Sequence, residues 1–225
     1  MGRFYNRTIV PLVKPAAFAN AAEALCRAGR RFDERGWVMG TSGNFSAVVE
    51  REPLRIAITR SGAFKGELEP ADILEMDERA AAVNPDSPRP SAEALIHVEI
   101  VRARGAGAVL HTHSIWSTLL SDVHAAQQGF AIEGYEMLKG LDGVLTHEHR
   151  EWLPIVENDQ DVPRLAAAAR VMLDQYPQAH GFLIRRHGLY TWGTELRDAV
   201  RHVEILEFLL QVIALKTTGA GSWPS

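Results

Sequence analysis

Helical and strand-like patterns follow one another along the chain without a strict βαβ repeat, and this order limits the folds open to it. Residues 15–36, 91–104, 161–175 and 194–216 carry apolar residues at helical spacing, and 114–123 reads as a shorter helix. The strand-like runs are NFSAVV, LRIAIT, AGAVLHTH, EWLPIVEN, GFLIRR and LYTWG. Because the first two runs are split only by EREP, they predict a hairpin. The order predicts a mixed sheet with helices on both faces.

Composition excludes several classes of protein. A chain of 225 residues that is 46% hydrophobic can bury one large core, so we expect a single domain over residues 1–225. Its net charge of -4 provides no basic surface for nucleic acid or for an anionic membrane. The beginning of the chain has no signal-peptide pattern, and the tail 217–225 is expected to fray. With one cysteine, Cys26, the chain fits a reducing compartment, which predicts a cytoplasmic protein.

Two histidines stand at the end of the apolar run AGAVLHTH. In a strand, the side chains of His111 and His113 point to the same face, about 6.5–7 Å apart, so both imidazoles can reach one ion. The same pattern is also met in core or surface histidines without a metal. Zinc needs a third protein ligand, and His187 is a candidate because it lies between two strand-like runs, beside Gly188, which is expected to let the backbone turn sharply.

The other histidines have less informative surroundings. His147 and His149 form a second His-x-His pair, but charged residues surround it, so we expect a solvated loop. His97 lies four residues after Glu93, which permits either a hydrogen bond within the helix or a supporting role at the site. Three more are expected to be structural or exposed: His124, His180 and His202.

Three Gly/Ser-rich stretches, GTSGNFS, TRSGAFKG and PSAE, have the composition of anion-binding loops. They combine free backbone amides, hydroxyl groups, the positive charge of Lys65 and a helix that Ser91 is expected to cap. Together they predict a phosphorylated substrate. Because the chain has no Walker or Rossmann pattern, a small phosphorylated compound is favoured over a nucleotide.

Taken together, GTSGN, SAE before a helix, HTHS and RHGLYTWG resemble the class II aldolase and adducin family over nearly the whole chain. The resemblance implies a three-layer α/β/α fold with a mixed, mostly antiparallel central sheet, and a homotetramer with active sites near subunit interfaces. It also implies one zinc ion per subunit, held by His111, His113 and His187. The implied phosphate-binding residues are Ser42, Gly43, Asn44, Ser61, Gly62, Lys65 and Ser91.

Two carboxylates compete for the catalytic role. In the aldolases of the family the carboxylate belongs to a motif that corresponds here to Glu93, whereas a dehydratase branch resembles this chain at Glu136 of EGYEMLKG. We expect dehydration of a phosphorylated ketose, with Glu136 as the acid and Glu93 partnering its helix N-terminus. The alternatives are an aldolase that cleaves a carbon–carbon bond and, more remotely, a non-catalytic adducin-like binding module.

Overall fold

A computed structural model describes residues 15–217, and its centre is one eight-stranded sheet in the order β3-β2-β1-β4-β8-β7-β6-β5. Only β6 and β7 run parallel; the other neighbouring strands are antiparallel. The strands are β1 (Asn44–Arg51), β2 (Leu54–Thr59), β3 (Ile73–Met76), β4 (Ala108–Thr112), β5 (Gly129–Ile132), β6 (Glu151–Val156), β7 (Gly181–Ile184) and β8 (Gly188–Gly193).

Helices cover both faces of the sheet. They are α1 (Pro15–Asp33), α2 (Ala94–Arg104), α3 (Ile115–Val123), α4 (Val162–Gln175) and α5 (Leu196–Thr217). Residues of α2 and α4 share one apolar cluster with the sheet, while α1, α3 and α5 pack against the opposite face. The predicted three-layer α/β/α fold with a mixed, mostly antiparallel sheet is therefore confirmed. None of the helices within residues 15–217 has the length and apolar character that a membrane span requires.

Alternation along β4 places the predicted site on one face. Val109 packs in the cluster of α2 and α4, whereas Ala108 and Leu110 pack towards α1 and α5. Since side chains alternate in a strand, His111 points to the same face as Val109, and its ring stacks on Tyr190 of β8 at 3.9 Å between centroids.

Several predicted elements differ in detail from the structure. Two strands of four residues each, β3 and β5, were not predicted. The first helix ends at Asp33 rather than at residue 36, and α2 begins at Ala94. The expected Ser91 cap is wrong: Glu93 occupies the cap position, and the Ser91 hydroxyl instead accepts from the Glu93 backbone N–H at 3.4 Å. The N-terminal segment before residue 15 and nearly all of the tail expected to fray lie outside the described residues.

Candidate metal centre

Three histidines and one glutamate meet at one end of the sheet. His111 is the fourth residue of β4, and His113 follows that strand directly. Because β4 pairs antiparallel with β8, with Thr112 opposite Leu189, the beginning of β8 lies beside the end of β4 and brings in His187. Glu93 stands immediately before α2, on the same face. The ligand atoms of these four side chains all lie within 4.8 Å of one another.

The nitrogen and oxygen atoms of this cluster converge on one point. Nε2 of His111 lies 2.7 Å from Nε2 of His113 and 3.4 Å from Nε2 of His187. The Glu93 carboxylate completes the group, with one oxygen 3.4 Å from His111 Nε2 and the other 3.3 Å from His187 Nε2. The sequence placed the three histidines together, and the structure brings Glu93 to the same point.

Burial keeps two of the imidazoles neutral. Desolvation is the largest cause that lowers the pKa of His111 well below its usual value, and it lowers that of His113 to about 2 with a further contribution from His111. Nδ1 of His111 donates to the carbonyl oxygen of Leu189 at 2.9 Å, so its single proton is on Nδ1 and its Nε2 lone pair faces the cluster. A backbone carbonyl that fixes the tautomer in this way is typical of metal-binding histidines.

A divalent cation fits this donor set. The Nε2 lone pair of His111 faces the Glu93 carboxylate and two further imidazole nitrogens. An unprotonated nitrogen and a carboxylate oxygen can only accept hydrogen bonds, so these two groups cannot satisfy each other unless a cation lies between them. Three imidazoles and a carboxylate are the ligands that zinc prefers, with the carboxylate replaceable by water or substrate. The cluster could therefore hold zinc, and the ligand roles of His111, His113 and His187 stay predictions.

Position 188 requires glycine because no side chain fits there, and not because the backbone turns sharply. A Cβ at this position would overlap the carbonyl oxygen of Thr112 and would approach His111 Cε1 to 3.0 Å and His113 Cδ2 to 3.1 Å. The positive φ of this turn is found at Arg186 instead, at 54°. The expectation that Gly188 provides the turn is therefore wrong; it lets β8 approach the histidines.

A chain of buried hydrogen bonds positions Glu93. Nδ2 of Asn44 donates to Glu93 Oε2 at 2.7 Å, while Oδ1 of Asn44 accepts from Nε2 of His97. The Ser46 hydroxyl lies 2.7 Å from Nδ1 of His97, and burial lowers the pKa of His97 to about 4, so the ring is neutral and Nδ1 accepts. Glu93 stands at the N-cap position of α2, as expected of a partner for the helix N-terminus, but its carboxylate makes no capping hydrogen bond there. Of the two interpretations of His97, the supporting one fits, because its hydrogen bond goes to Asn44.

An open cavity of about 570 Å³ adjoins the cluster, and His113, His187 and Glu93 line it. All seven residues predicted to bind phosphate also line it: Ser42, Gly43, Asn44, Ser61, Gly62, Lys65 and Ser91. The Ser42 hydroxyl is buried and has no hydrogen-bond partner within the described residues, so a ligand oxygen can pair with it. Their phosphate-binding roles stay predictions.

The Lys65 ammonium is buried at the cavity wall, where the carbonyl oxygens of Thr41 and Ala63 accept its hydrogen bonds at 3.0 and 2.7 Å. Burial is the largest cause that lowers the pKa of Lys65, to about 8, and the charge of Arg60 lowers it further. Arg60 and Arg186 also line the cavity and were missed as site residues. Each lies within a motif singled out from the sequence, TRSGAFKG or RHGLYTWG, but a single basic residue is too common to be identified as a site residue.

Glu136 lies elsewhere in this single chain. It begins a short 3-10 helix, Glu136–Gly140, and its side chain is 71% exposed, with Lys139 at 2.8 Å and His147 at 3.8 Å. It is not among the residues that line the cavity. Its catalytic role stays a prediction.

Some of the remaining histidines depart from expectation. His147 is exposed, as expected of a solvated loop, but His149 is partly buried and contacts the buried Glu151 at 2.8 Å. The solvated-loop interpretation is therefore wrong for His149, because charged neighbours in the sequence conceal a buried partner on β6. His180 and His202 have structural contacts, with the Glu151 carboxylate and the Trp192 carbonyl respectively.

Comparisons with known proteins agree with the fold. The family described as Class II Aldolase and Adducin N-terminal domain matches residues 23–214. A methylthioribulose-1-phosphate dehydratase of Methylococcus capsulatus is 47% identical over 196 residues, 87% of this chain and 93% of that protein. The protein of that name from Marinobacter nauticus is 44% identical over 195 residues, 86% of this chain and 92% of its own length.

Two solved structures share the fold. An L-fuculose 1-phosphate aldolase superposes with a TM-score of 0.73 at 22% identity, covering 90% of this chain and 88% of its own. The L-fuculose-1-phosphate aldolase of Thermus thermophilus gives 0.69 at 22% identity, covering 92% of this chain and 100% of its own. At such identities the likeness concerns the fold alone.

Proposed function

Because the chain belongs to the class II aldolase and adducin family, we propose that it is a metal-dependent lyase of the dehydratase branch. Its substrate in this proposal is 5-methylthioribulose 1-phosphate, which loses water to give 2,3-diketo-5-methylthiopentyl 1-phosphate. The relatives at 44–47% identity carry the name methylthioribulose-1-phosphate dehydratase, which supports this choice of substrate. The observation that carries the proposal is the histidine–glutamate cluster at the wall of a cavity lined by the Gly/Ser loops and Lys65.

The cofactor in this proposal is one zinc ion per subunit, held by His111, His113 and His187. When bound, zinc supplies a Lewis acid for the substrate oxygens on which negative charge develops. The donor set supports the choice, because three imidazole nitrogens and one carboxylate converge on one point and Asn44 holds that carboxylate in place.

Each of the other residues has a defined task. The loops that contain Ser42, Ser61 and Lys65 bind the phosphate and fix the position of the ketose in the cavity. Glu93 is the carboxylate beside the cluster, and we assign to it the removal of the C3 proton. An acid must then protonate the C4 hydroxyl, so that the C4–O bond breaks and water leaves; the enol that results becomes the 2,3-diketone.

We assign the protonation of the C4 hydroxyl to Glu136. Within one chain this carboxylate is exposed and lies outside the cavity, so it acts on a substrate bound in a neighbouring subunit. This assignment needs an oligomer, and a homotetramer with sites near subunit interfaces is the assembly that we propose.

Zinc, the methionine salvage pathway and a cytoplasmic location belong to the same proposal. The pathway follows from the proposed substrate, and the single buried cysteine, Cys26, fits a reducing compartment. The chain acts as a single domain, since the cluster and the cavity are built by one continuous sheet and the helices that cover it.

The nearest alternative is a class II aldolase that cleaves a carbon–carbon bond of a sugar phosphate with the same ligands. The test is mass spectrometry of the products after zinc-loaded protein is incubated with 5-methylthioribulose 1-phosphate. Loss of one water from the intact carbon chain is the expected result. Two shorter carbon fragments would identify an aldolase, and unchanged substrate with zinc-loaded protein would favour the non-catalytic module.

A further inference from the structure

A second group of metal-ligating side chains lies at the opposite end of the sheet. His149, Glu151 and His180 each present one ligand atom, and these atoms lie within 4.8 Å of one another. Glu151 begins β6, and residues 158–160, just after that strand, line the cavity described above. A strand of this length separates the two ends by about 20 Å. The group is thus distinct from the cluster of Glu93 and the three histidines.

The contacts within this group are short. Glu151 Oε2 lies 2.8 Å from Nε2 of His149 and 2.9 Å from Nδ1 of His180. The Glu151 side chain is 1% exposed, whereas the imidazoles of His149 and His180 are 30% and 15% exposed. Neighbouring ligands on a tetrahedral zinc ion with bonds of about 2.0–2.2 Å stand about 3.3–3.6 Å apart, so each imidazole nitrogen needs to move away from the carboxylate oxygen by only about 0.5 Å to admit one ion. The exposed side of His149 leaves room for a water ligand.

Hydrogen bonds around the group orient the ligand atoms. Nε2 of His180 lies 2.8 Å from the carbonyl oxygen of Asp142, which can only accept, so this nitrogen carries a proton. In the neutral ring, Nδ1 then has its lone pair directed at Glu151. The other carboxylate oxygen, Oε1, accepts the backbone N–H of His180 at 2.9 Å. Hydrogen bonds of this kind, from a ligand to a backbone carbonyl or amide, are typical of residues that bind a metal.

The neighbouring His202 is neutral and so brings no positive charge to this group. Its Nδ1 donates to the Trp192 carbonyl at 2.7 Å, and its Nε2 accepts the backbone N–H of Asp142 at 3.1 Å. A ring with one donor and one acceptor nitrogen is neutral. Oε2 of Glu151 faces both Nε2 of His149 and Nδ1 of His180, so one cation placed among these three atoms would be bound by all three side chains.

We propose that His149, Glu151 and His180 form a second divalent-metal site, with zinc as the preferred ion. Two imidazole nitrogens and one carboxylate oxygen bind the ion, and water completes its coordination. The metal joins the segment before β6 to the start of β7, and so stabilises the fold at the end of the sheet away from the cavity. This proposal does not depend on the proposed reaction.

Counting metal ions tests the site. Protein stripped with EDTA, reloaded with Zn²⁺ and desalted should contain two ions per chain by inductively coupled plasma mass spectrometry. His149→Gln, His180→Ala and His113→Ala should each lose one ion, and His113→Ala with His149→Gln should lose both. The exposed His147→Ala is the matched control and should keep two.

A thermal measurement covers the case in which a buried variant fails to fold. In the His113→Ala background, added Zn²⁺ should raise Tm, and the further change His149→Gln should abolish that shift while leaving the Tm without metal within a few degrees. One ion per chain in the wild type, all lost in His113→Ala, would show that His180 and Glu151 form a proton-dependent ion pair instead. A second ion that persists in His149→Gln and His180→Ala would place it elsewhere, and would equally overturn the proposal.

Discussion

Asn44 donates a hydrogen bond of 2.7 Å from its side-chain amide to Oε2 of Glu93, and so ties the first residue of β1 to the carboxylate of the candidate metal centre. The other end of the same amide accepts from His97, which fixes which way the amide points. Asn44 was predicted to contact phosphate, but both polar atoms of its side chain already have partners in the protein. We infer that it positions Glu93.

Asn44→Ala should therefore lower kcat more than it raises KM. Removing the donor leaves Glu93 free to rotate, and we expect a decrease in kcat of about 10-fold or more with a shift in the acid limb of the pH–rate profile. Steady-state kinetics from pH 5 to 9 provide the measurement, with the exposed Asn20→Ala as the control. A KM effect alone, at an unchanged kcat and pH profile, would return Asn44 to the phosphate site.

The three histidines provide the next prediction. His111→Ala, His113→Ala and His187→Ala should each abolish zinc binding at the candidate centre, because each removes one of three imidazole ligands. Titration of the metal-free protein with Zn²⁺, followed by calorimetry, measures the loss, and His147→Ala should bind as the wild type does. Retention of this zinc by all three variants would refute the assigned ligand set.

Part of the candidate metal centre could be predicted from the sequence, and the reason is physical. His111 and His113 are two residues apart on one strand, so the alternation of side chains is enough to predict their common face. Glu93 and His187 are far apart along the chain, and they meet only because α2 packs against β4 while β4 pairs with β8. The spacing of His97 from Glu93 left a supporting role of His97 open, but its hydrogen bonds to Ser46 and Asn44 could not be predicted, since a buried histidine and a solvated one look alike in a sequence. The group around Glu151 depends in the same way on the parallel pairing of β6 with β7.

Lys65 should affect substrate binding rather than chemistry. Because burial lowers the pKa of Lys65 to about 8, the ammonium is charged below pH 8 and loses its proton above it. We expect KM to rise above pH 8 in the wild type, and Lys65→Met to raise KM about 10-fold at pH 7 with little change in kcat. Inhibition by inorganic phosphate should weaken in parallel.

The exposed Lys216→Met serves as the control for this variant, and should keep the KM and the phosphate inhibition of the wild type. If the KM of Lys65→Met equals that of the wild type, Lys65 stabilises the loop through Thr41 and Ala63 only.

Glu207 should make the stability of the fold depend on pH. Its side chain is buried on α5, where Oε1 accepts the Thr112 hydroxyl at 2.7 Å, and burial raises the pKa of Glu207 from 4.5 to about 7. The folded state therefore holds this proton more tightly than the unfolded state. The contribution of Glu207 to the free energy of unfolding is most favourable below pH 4.5 and is lost as the pH rises to about 7.

Glu207→Gln should accordingly raise the free energy of unfolding at pH 8 by about 1–3 kcal/mol, and should have little effect at pH 4.5. Urea denaturation at the two pH values measures it, with the exposed Glu148→Gln as the control. A variant that is less stable than the wild type at pH 8 would mean that the carboxylate is needed in its charged form.

The last prediction concerns Glu136, whose side chain is exposed and outside the cavity of its own chain. Glu136→Gln should lower kcat by about 10²-fold or more with full zinc content, because the departure of the C4 hydroxyl then lacks its acid. The nearby, exposed Glu133→Gln is the matched control and should keep the wild-type rate. Glu93→Gln should also lower kcat, but with altered zinc binding, since Glu93 lies among the histidines.

Mixing two inactive variants shows from which chain Glu136 acts. Glu136→Gln subunits keep the histidines, and His113→Ala subunits keep Glu136, so a mixed oligomer contains complete sites only where the two kinds of subunit meet. Unfolding and refolding the two variants together should restore activity, in about a quarter of the sites for random pairing. If Glu136 served its own chain, no site in the mixture would be complete and the activity would stay at the level of the separate variants. A nearly silent Glu136→Gln, with Glu93→Gln inactive, would instead favour the aldolase assignment of the acid.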